Sequence, residues 1–293
     1  MRVLDDAAVM ATITPELAVS AARDAILAAH RGELVGPPRT VVPAGDTSLT
    51  FTVGGELGGA AGFRVYGRWP GASDQLVAVW GPDGRIRGLV VGDALGPLRT
   101  GALGAVALDL LAPHPLPVLT VIGTGRQAWT QLWAATAVRT PGRVLVHSRD
   151  PDKREAFAAR ARAELDLDAR AAAGVQEAVE AAHSVILATT STTPVLQPGW
   201  LAAATSVSTV GPKVTGYAEL PLELLDTAGV VASDSPGQLE ALGHPYTGLK
   251  VAHLGALIAG EVAPKSHGLR IFCSAGLAGS EVVLADRLLA ASS

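Results

Sequence analysis

The sequence predicts an α/β protein in which a doubly wound parallel sheet is joined to a smaller α+β domain. The chain has 293 residues, about twice the length of an average domain, so it can form two cores. After residue 116, short apolar runs alternate with helical patterns, which is typical of a parallel sheet. Before it, strands with alternating apolar residues and a hairpin at residues 76–91 indicate antiparallel pairing.

Helix caps, helix-breaking residues and apolar periodicity define the predicted elements in the first half of the chain. Thr14 and Pro15 form an N-cap and a first helical position, and apolar residues at helical spacing continue to Arg31. The Gly-Pro-Pro sequence at 36–38 ends this region. The following predictions are strands at 49–53 and 63–66, a hairpin of strands 76–80 and 86–91, a helix at 98–111 and a rigid linker at 114–117.

The second half begins with a strand at 118–122 and a helix that contains Trp129, Leu132 and Trp133. The predicted elements that follow are strand 144–147, helices 153–165 and 175–182, strands 185–189 and 206–210, helix 222–228 and strand 230–232. Residues 271–289 read as a short strand, a glycine turn and a final helix, which we expect to return to the first domain. The predicted domains are therefore 1–115 together with 270–293, and 116–269.

Composition and charge exclude several classes of protein. The net charge of -4 gives no electrostatic basis for nucleic-acid binding. No apolar segment approaches the ~20 residues of a membrane span, and the first ten residues contain acids where a secretory signal carries basic residues. We expect a cytoplasmic protein without membrane contact. The single cysteine, Cys273, excludes internal disulfides and cysteine-based metal clusters, and its apolar neighbours predict a buried thiol; no metal site is assigned.

The strand at 118–122 runs directly into a glycine turn and a helix, the order of a dinucleotide site. The turn and first helical residues are Gly123, Thr124, Gly125, Arg126, Gln127 and Ala128. The first glycine allows a tight turn, the second lets the backbone approach a pyrophosphate, and Ala128 lets helix and strand pack closely. The helix N-terminus then faces the phosphates. The alternative is a plain strand, turn and helix without a ligand.

The end of the second strand in this half distinguishes between the two nicotinamide dinucleotides. An acid at this position binds the ribose 2′-hydroxyl, whereas a 2′-phosphate requires cations. The strand ends at His147, and Ser148, Arg149 and, one turn further on, Lys153 follow. A hydroxyl and two cations suit a phosphate, so NADPH is predicted and NADH is the less favoured cofactor. The alternative is that Arg149 only solvates the surface.

Five segments in order make the chain resemble the ornithine cyclodeaminase and mu-crystallin family. They are residues 98–102 (LRTGA), 121–128 (VIGTGRQA), 188–195 (ATTSTTPV), 210–211 (VG) with 219–220 (EL), and 274–278 (SAGLA). The resemblance implies that residues 116–269 form an NAD(P)-binding Rossmann domain. It also implies that residues 1–115 and 270–293 form a domain for substrate binding and dimerisation, so that the protein is a homodimer.

The resemblance also implies roles for individual residues. Arg39 and Arg99 lie where the family holds the substrate carboxylate, which an arginine fork grips bidentately. The implied cofactor-binding residues are Thr100, Thr189, Thr190, Ser191, Gly211 and, on the nicotinamide side, Ser274. The alternatives are that the arginines are structural or at the surface, and that the Thr189–Ser191 stretch is an N-cap without a ligand.

Two positions depart from the family pattern. Arg64 stands where the family has a substrate-side lysine, and it can bind but cannot act as a base at neutral pH. Lys213 stands where cyclodeaminases have an aspartate, and we expect it to face the substrate nitrogen as a proton donor or as a binding cation. The alternative is that it neutralises Glu219 or reaches solvent. Asp234 does not replace the missing acid, because it is expected to cap the helix after Pro236.

These residues predict an NADPH-dependent reductase of a small imine or ketimine that carries a carboxylate, or the reverse reaction of an amino-acid dehydrogenase. An ornithine cyclodeaminase is an alternative, although the acid that activates the ornithine amine is missing. A second alternative is a binding protein of the mu-crystallin type that retains NADPH without turnover.

Overall fold

The computed structural model describes residues 1–67, 69, 74–265 and 267–292. The strands are β1 (Arg2–Leu4), β2 (Leu34–Val35), β3 (Thr40–Ala44), β4 (Thr47–Glu56), β5 (Ala61–Gly67), β6 (Gln75–Trp80), β7 (Ile86–Gly92), β8 (Val118–Ile122), β9 (Arg143–His147), β10 (Ala169–Ala171), β11 (Ser184–Leu187), β12 (Ser206–Thr209), β13 (Lys213–Val214), β14 (Tyr217–Ala218), β15 (Val230–Ser233), β16 (Val251–His253) and β17 (Arg270–Cys273). The helices are α1 (Asp6–Thr12), α2 (Pro15–His30), α3 (Leu95–Leu111), α4 (Arg126–Ala135), α5 (Pro151–Leu165), α6 (Val175–Glu180), α7 (Leu224–Thr227), α8 (Pro236–Glu240), α9 (Leu254–Ile258) and α10 (Ser280–Ala291), with a 3₁₀ turn at Pro198–Leu201.

The strands of the first half form a mainly antiparallel sheet. Among the described residues its order is β1-β7-β6-β5-β4-β2, and β3 pairs with residues 47–51 of β4. Within this described part, only β1 runs parallel to its neighbour. Helix α10 packs against β4 to β7. Side chains alternate between the two faces of a strand, so Arg64 and its partner Val77 share one face, whereas Val53, Phe63, Ala78 and Leu89 form an apolar row across the other.

The second half forms a parallel sheet, as its alternation of strands and helices predicts. The order within the described chain is β10-β9-β8-β11-β12-β17-β15-β16, and every neighbouring pair is parallel. Strand residues such as Leu119, Val121 and Val185 are 0% exposed, because helices cover both faces of a doubly wound sheet. The predicted α/β class with a second, smaller domain is therefore confirmed.

Helices α3 and α4 make the densest contact between the two halves. Gly101 of α3 lies so close to α4 that a Cβ atom on it would be 2.2 Å from the backbone oxygen of Thr130. One turn further on, the amide of Gln131 covers Gly104 and donates to the backbone oxygen of Thr100 at 3.0 Å. Small residues on α3 thus allow two helix backbones to touch, which fixes the nucleotide domain against the first domain.

The chain returns to the first domain later than the sequence predicts. Strand β17 lies inside the parallel sheet, between β12 and β15, whereas helix α10 packs on the first sheet. The assignment of all residues from 270 onward to the first domain therefore needs a correction, because the crossing is the loop after Cys273. Strands β1, β3, β10 and β16 are also absent from the prediction.

Candidate functional site

A cleft of about 790 Å³ opens at the carboxyl ends of β8, β9 and β11. Ligands of open α/β sheets bind at this edge. The predicted cofactor residues that line it are Gly123, Thr124, Gly125, Ser148, Arg149, Lys153, Thr189, Thr190 and Ser191. Three separate loops thus bring together residues that are up to 68 positions apart, from Gly123 to Ser191.

The glycine turn has the geometry that a pyrophosphate needs. Gly123 has φ +115°, and a Cβ atom on it would lie 2.3 Å from the backbone oxygen of Ala188, so no other residue fits. A Cβ atom on Gly125 would meet no atom within 4 Å, which leaves this backbone open to the cleft. Gly125 is the N-cap of α4 and provides no side-chain cap. The first N–H groups of α4 are therefore free to bind an anion.

The last three residues of the glycine motif lie outside the lining of the cleft. Arg126 forms an ion pair with Asp93 at 2.6 Å, at the start of α3. Ala128 is 0% exposed in the core. The Oε1 atom of Gln127 is buried and has no hydrogen-bond partner in the described part of the chain.

The loop after β9 presents two cations to the cleft. Arg149 is exposed, and Lys153 pairs with Asp150 at 3.3 Å. The Asp150 carboxylate also caps α5, because it accepts from the backbone N–H groups of Asp152 at 3.1 Å and Lys153 at 3.2 Å. These bonds, first the backbone bond from Lys153, lower the pKa of Asp150. The acid at this corner of the cleft is therefore already engaged, whereas Arg149 has no ion pair among the described residues.

A buried glutamate, Glu219, ties together the loops after β11 and β12. One carboxylate oxygen accepts from the backbone N–H and the hydroxyl of Thr189, both at 2.8 Å. The other accepts from the hydroxyl of Thr209 at 2.8 Å and from the N–H groups of Val210 at 3.1 Å and Gly211 at 2.6 Å. Gly211 therefore lies in a loop that Glu219 fixes, behind the cleft.

The Thr189–Ser191 stretch does not cap a helix. The hydroxyl of Thr189 accepts from the backbone N–H of Ser191 at 3.1 Å, which is a local turn, and the next helical turn begins only at Pro198. The alternative reading of this stretch as an N-cap is wrong, because the chain continues as a loop along the cleft.

Two predicted substrate residues, Arg64 and Arg99, meet at one carboxylate that the sequence does not single out. Arg64 donates from Nη1 to Oε1 of Glu281 at 3.1 Å, and Arg99 donates from Nη2 to the same oxygen. Burial tends to raise the pKa of Glu281, but Arg99 and Arg64 outweigh it and hold that pKa below its usual range. Burial, together with Arg99, lowers the pKa of Arg64. Arg64 also packs over the ring of Tyr66, 4.2 Å from its centroid.

Arg39 and Arg99 converge on Gly276, in the loop that crosses between the domains. A Cβ atom on Gly276 would lie 3.2 Å from Nη1 of Arg99 and 3.6 Å from Nη2 of Arg39. Arg39 is exposed and donates to the backbone oxygen of Ala275 at 2.6 Å. Residues 60 positions apart in sequence, Arg39 and Arg99, are thus brought to one point.

Asp234 holds the same loop from the other side, which corrects its predicted role as a helix cap. Its carboxylate accepts from the backbone N–H groups of Ala275 at 2.7 Å and Gly276 at 3.0 Å, whereas the N-cap of α8 is Ser235. The physical reason is that β15 and β17 are neighbours, so the loops at their carboxyl ends meet.

Lys213 lies in β13 and is 8% exposed. Its ammonium donates to the backbone oxygens of Gly211 at 2.5 Å and Val210 at 3.3 Å, and it forms no ion pair with Glu219 among the described residues. Burial lowers the pKa of Lys213 and Arg39 adds to this effect, while Cys273, Glu219 and Asp234 oppose it. Burial is therefore the main cause of the lowered pKa of Lys213.

The remaining residues that the sequence analysis names are Thr100, Ser274 and Cys273. Thr100 donates its hydroxyl to the backbone oxygen of Gly96 within α3, at 3.0 Å. Ser274 is 7% exposed and follows β17 directly, with its N–H bonded to the backbone oxygen of Thr209 at 3.1 Å. Cys273 is 0% exposed, as predicted, and burial raises the pKa of its thiol to about 11.

Sequence reasoning misses the structural roles of Glu219, Asp234 and Glu281. All three are isolated acids in apolar surroundings and are at most 1% exposed. A buried charge needs partners, so a lone acid in an apolar segment is the signal by which they could have been found.

None of the described helices is long and apolar enough to cross a membrane. Comparison with known proteins shows to which family the sequence of this chain belongs. A sequence model of the ornithine cyclodeaminase/mu-crystallin family matches residues 82–289. The chain is 32% identical to delta(1)-pyrroline-2-carboxylate reductase of Bacillus cereus over 212 residues, which are 68% of this chain and 65% of that protein. It is 28% identical to ketimine reductase mu-crystallin of Mus musculus over 205 residues, or 69% of this chain and 64% of that protein. The matches thus span slightly less than two thirds of these relatives. The iminosuccinate reductase of Paracoccus denitrificans, solved with NAD+, has a TM-score of 0.91 and 25% identity, covering 99% of this chain and 96% of that one.

Proposed function

This chain belongs to the ornithine cyclodeaminase/mu-crystallin family, and on that basis we propose that it is an NADPH-dependent reductase of a small imine or ketimine that carries a carboxylate. The observation that carries this proposal is the convergence of Arg39 and Arg99 on Gly276, in a loop at the same sheet edge as the dinucleotide-type cleft. The related reductases of pyrroline-2-carboxylate, ketimines and iminosuccinate support it. The reverse reaction, oxidation of an amino acid, uses the same residues.

Each group of residues has a role in this reaction. The uncapped N-terminus of α4 and the open backbone of Gly125 bind the pyrophosphate. The reduced nicotinamide, when bound, supplies the hydride. Arg39 and Arg99 grip the substrate carboxylate and so fix the carbon that accepts the hydride.

Lys213 supplies the proton in this scheme. Hydride addition to carbon leaves the nitrogen in need of a proton. The ammonium of Lys213 has three N–H donors, of which two bond to backbone oxygens. The third has no partner among the described residues and donates the proton to nitrogen.

The preference for NADPH rests on the loop after β9. Asp150 is engaged by Lys153 and by the first turn of α5, so it does not compete for the ribose. Arg149 is exposed at the cleft and is positioned to pair with a 2′-phosphate.

The proposed assembly is a cytoplasmic homodimer. The face of the first sheet opposite α10 carries the row of Val53, Phe63, Ala78 and Leu89 and a second row of Phe51, Val65, Leu76 and Val91. Val53 is 53% exposed and Val91 is 38% exposed. A continuous apolar face of this kind is typical of a protein interface, and a second copy that presents the same face would bury it.

A substrate panel tests the proposed reaction. The protein is incubated with NADPH and either cyclic imines that carry a carboxylate or 2-oxo acids with an amine, and separately with ornithine and NAD+. Consumption of NADPH supports the reductase. Ammonia released from ornithine without net change in the cofactor indicates a cyclodeaminase instead. Tight NADPH binding without turnover across the panel indicates a binding protein.

A further inference from the structure

The buried carboxylate of Glu281 accepts hydrogen bonds from two buried arginines, Arg64 and Arg99. Glu281 is 1% exposed, and Arg64 and Arg99 are 9% and 6% exposed. Both guanidinium groups donate to the same oxygen, Oε1. The triad therefore combines two positive charges and one negative charge in a site from which water is nearly excluded.

The hydrogen-bonding capacity of this triad is not used up. Oε2 of Glu281 and Nε of Arg99 are buried and have no partner among the described residues. A buried ion cluster that serves only the fold is expected to saturate its donors and acceptors, since unpaired buried polar atoms are costly. The unpaired Nε–H of Arg99 is a donor and therefore points to a ligand with an acceptor oxygen, such as a carboxylate, whereas Oε2 of Glu281 can only accept and does not attract an anion.

Arg99 extends from the triad to the loop at Gly276, where a carboxylate is proposed to bind. Nη1 of Arg99 lies 3.2 Å from the Cβ position of Gly276, and Arg39 approaches the same point from the exposed side. Arg39 itself has no ion pair within the described chain and bonds to a backbone oxygen. A ligand that passes Arg39 therefore meets Arg99, and behind it the carboxylate of Glu281.

We propose that Glu281 is a positioning residue that sets substrate specificity, because it neutralises one of the two buried arginines and so limits the buried pair to one substrate carboxylate. This proposal rests on the proposed function for the identity of the ligand as a carboxylate. A first carboxylate balances the single remaining charge. Arg39, which is exposed, shares this first carboxylate with Arg99. A second carboxylate inside the buried triad meets no uncompensated cation among Arg64, Arg99 and Glu281 and is repelled by Glu281, and charges act strongly on each other where water is excluded.

The test compares two anions that differ by one charge. Succinate has two carboxylates, and succinamate replaces one of them with an uncharged amide of the same shape. Binding of each anion to the protein saturated with NADP+ is measured by isothermal titration calorimetry. The wild type should bind succinamate more tightly. In Glu281→Gln, which keeps the size of the side chain and removes its charge, the preference should shift toward succinate by about tenfold or more.

Two further variants test whether the result depends on the folding of the variant or on the net charge of the protein. Glu261→Gln changes a glutamate elsewhere that pairs with His30, and it should leave the preference unchanged. The double variant Arg64→Gln with Glu281→Gln removes one charge of each sign, so it should retain the wild-type preference even if the single variant fails to fold. Circular dichroism checks the fold of each variant.

An unchanged preference in a folded Glu281→Gln protein, or a double variant that prefers succinate, overturns the proposal. No binding of succinamate to the wild type also overturns it, because the buried pair then takes no carboxylate. A protein that shows the predicted anion preferences but reduces none of the imines in the panel instead contradicts the proposed function alone.

Discussion

Three buried acids hold the loops around the candidate site, and each does so in a different way. Glu219 binds backbone N–H and hydroxyl groups of two adjacent strand ends, Asp234 binds the backbone of the crossing loop, and Glu281 binds two guanidinium groups. Charge-assisted bonds of this kind are stronger than those between neutral groups. At the scale of single residues, buried acids therefore hold the loops of the candidate site, and the cations face the positions that are proposed for the ligands.

In the proposed function, the preference for NADPH depends on Arg149. Arg149→Ala should weaken NADPH binding by roughly tenfold or more, because a charge-assisted contact with the 2′-phosphate is worth about 1.5 to 3 kcal/mol. Binding of NADH should be nearly unchanged. Fluorescence titration with both cofactors measures the effect, and Arg143→Ala, at the exposed start of β9, is a matched control. Equal weakening of NADPH and NADH would contradict the assignment.

In the proposed function, the protonation step depends on Lys213. Lys213→Met should lower the turnover number by ~10²-fold or more and spare NADPH affinity. The wild-type rate should fall as pH rises through the pKa of Lys213, because only the ammonium donates a proton. Burial places that pKa below the usual value of a lysine. The variant should lack this high-pH limb, and the pH dependence of turnover measures it.

Other outcomes assign Lys213 differently. A higher Michaelis constant with unchanged turnover identifies a binding cation. Unchanged kinetics would mean that the ammonium only bonds to the backbone oxygens of Gly211 and Val210, and that the role inferred from the family's aspartate does not apply.

The residues of the site differ in how far the sequence could predict them. Gly123 and Gly125 are predictable because the turn, the strand before it and the helix after it are local features. The contacts of Glu281 with Arg64 and Arg99 join residues 217 and 182 positions apart, and no local pattern encodes such a pairing. The arginines were found only through the resemblance to a family.

At the scale of elements, the contact of α3 with α4 determines how the two domains meet. Gly101→Ala should lower the free energy of unfolding by about 2 kcal/mol, because its Cβ would press on the backbone oxygen of Thr130 at 2.2 Å. This loss exceeds the ~1 kcal/mol that alanine gains over glycine in a helix. Urea denaturation measures the change.

Gly125→Ala is the matched control for this contact. Its Cβ would meet no atom within 4 Å, so the free energy of unfolding should stay the same while NADPH binding weakens. A Gly101→Ala protein as stable as the wild type would show that the two helices can separate at no cost.

Two differences between the predicted and the observed elements have physical causes. Residues 40–44 of β3 are all exposed, and Pro43 removes one N–H donor, so no apolar periodicity marks the segment as a strand, although Thr40, Val41 and Val42 favour strands. Strand β17 is short and apolar like many core segments, and its place between β12 and β15 depends on residues far apart in the chain.

At the scale of the whole molecule, the face of the first sheet opposite α10 is the proposed dimer interface. Val53→Asp should convert the proposed dimer to a monomer, because a charge in the centre of an apolar interface is left without a partner. Leu242→Asp, at an apolar residue that is 42% exposed elsewhere, should not change the mass. Analytical ultracentrifugation reports the mass of each variant. A wild-type monomer, or a Val53→Asp dimer, would contradict this interface.

Helix α10 lies at the end of the chain but packs on the first sheet, so the two halves of the protein are completed in a fixed order during synthesis. Helix α10 packs on β4 to β7, but Ser280 lies 188 positions after Gly92, and a ribosome takes on the order of 10 to 40 seconds to synthesise this stretch at the usual rate of elongation. During that interval the nascent chain contains Arg64 and Arg99 but not Glu281. The parallel sheet from β8 to β17 is complete before α10 leaves the ribosome. The nascent protein therefore acquires its nucleotide cleft first and its substrate site last.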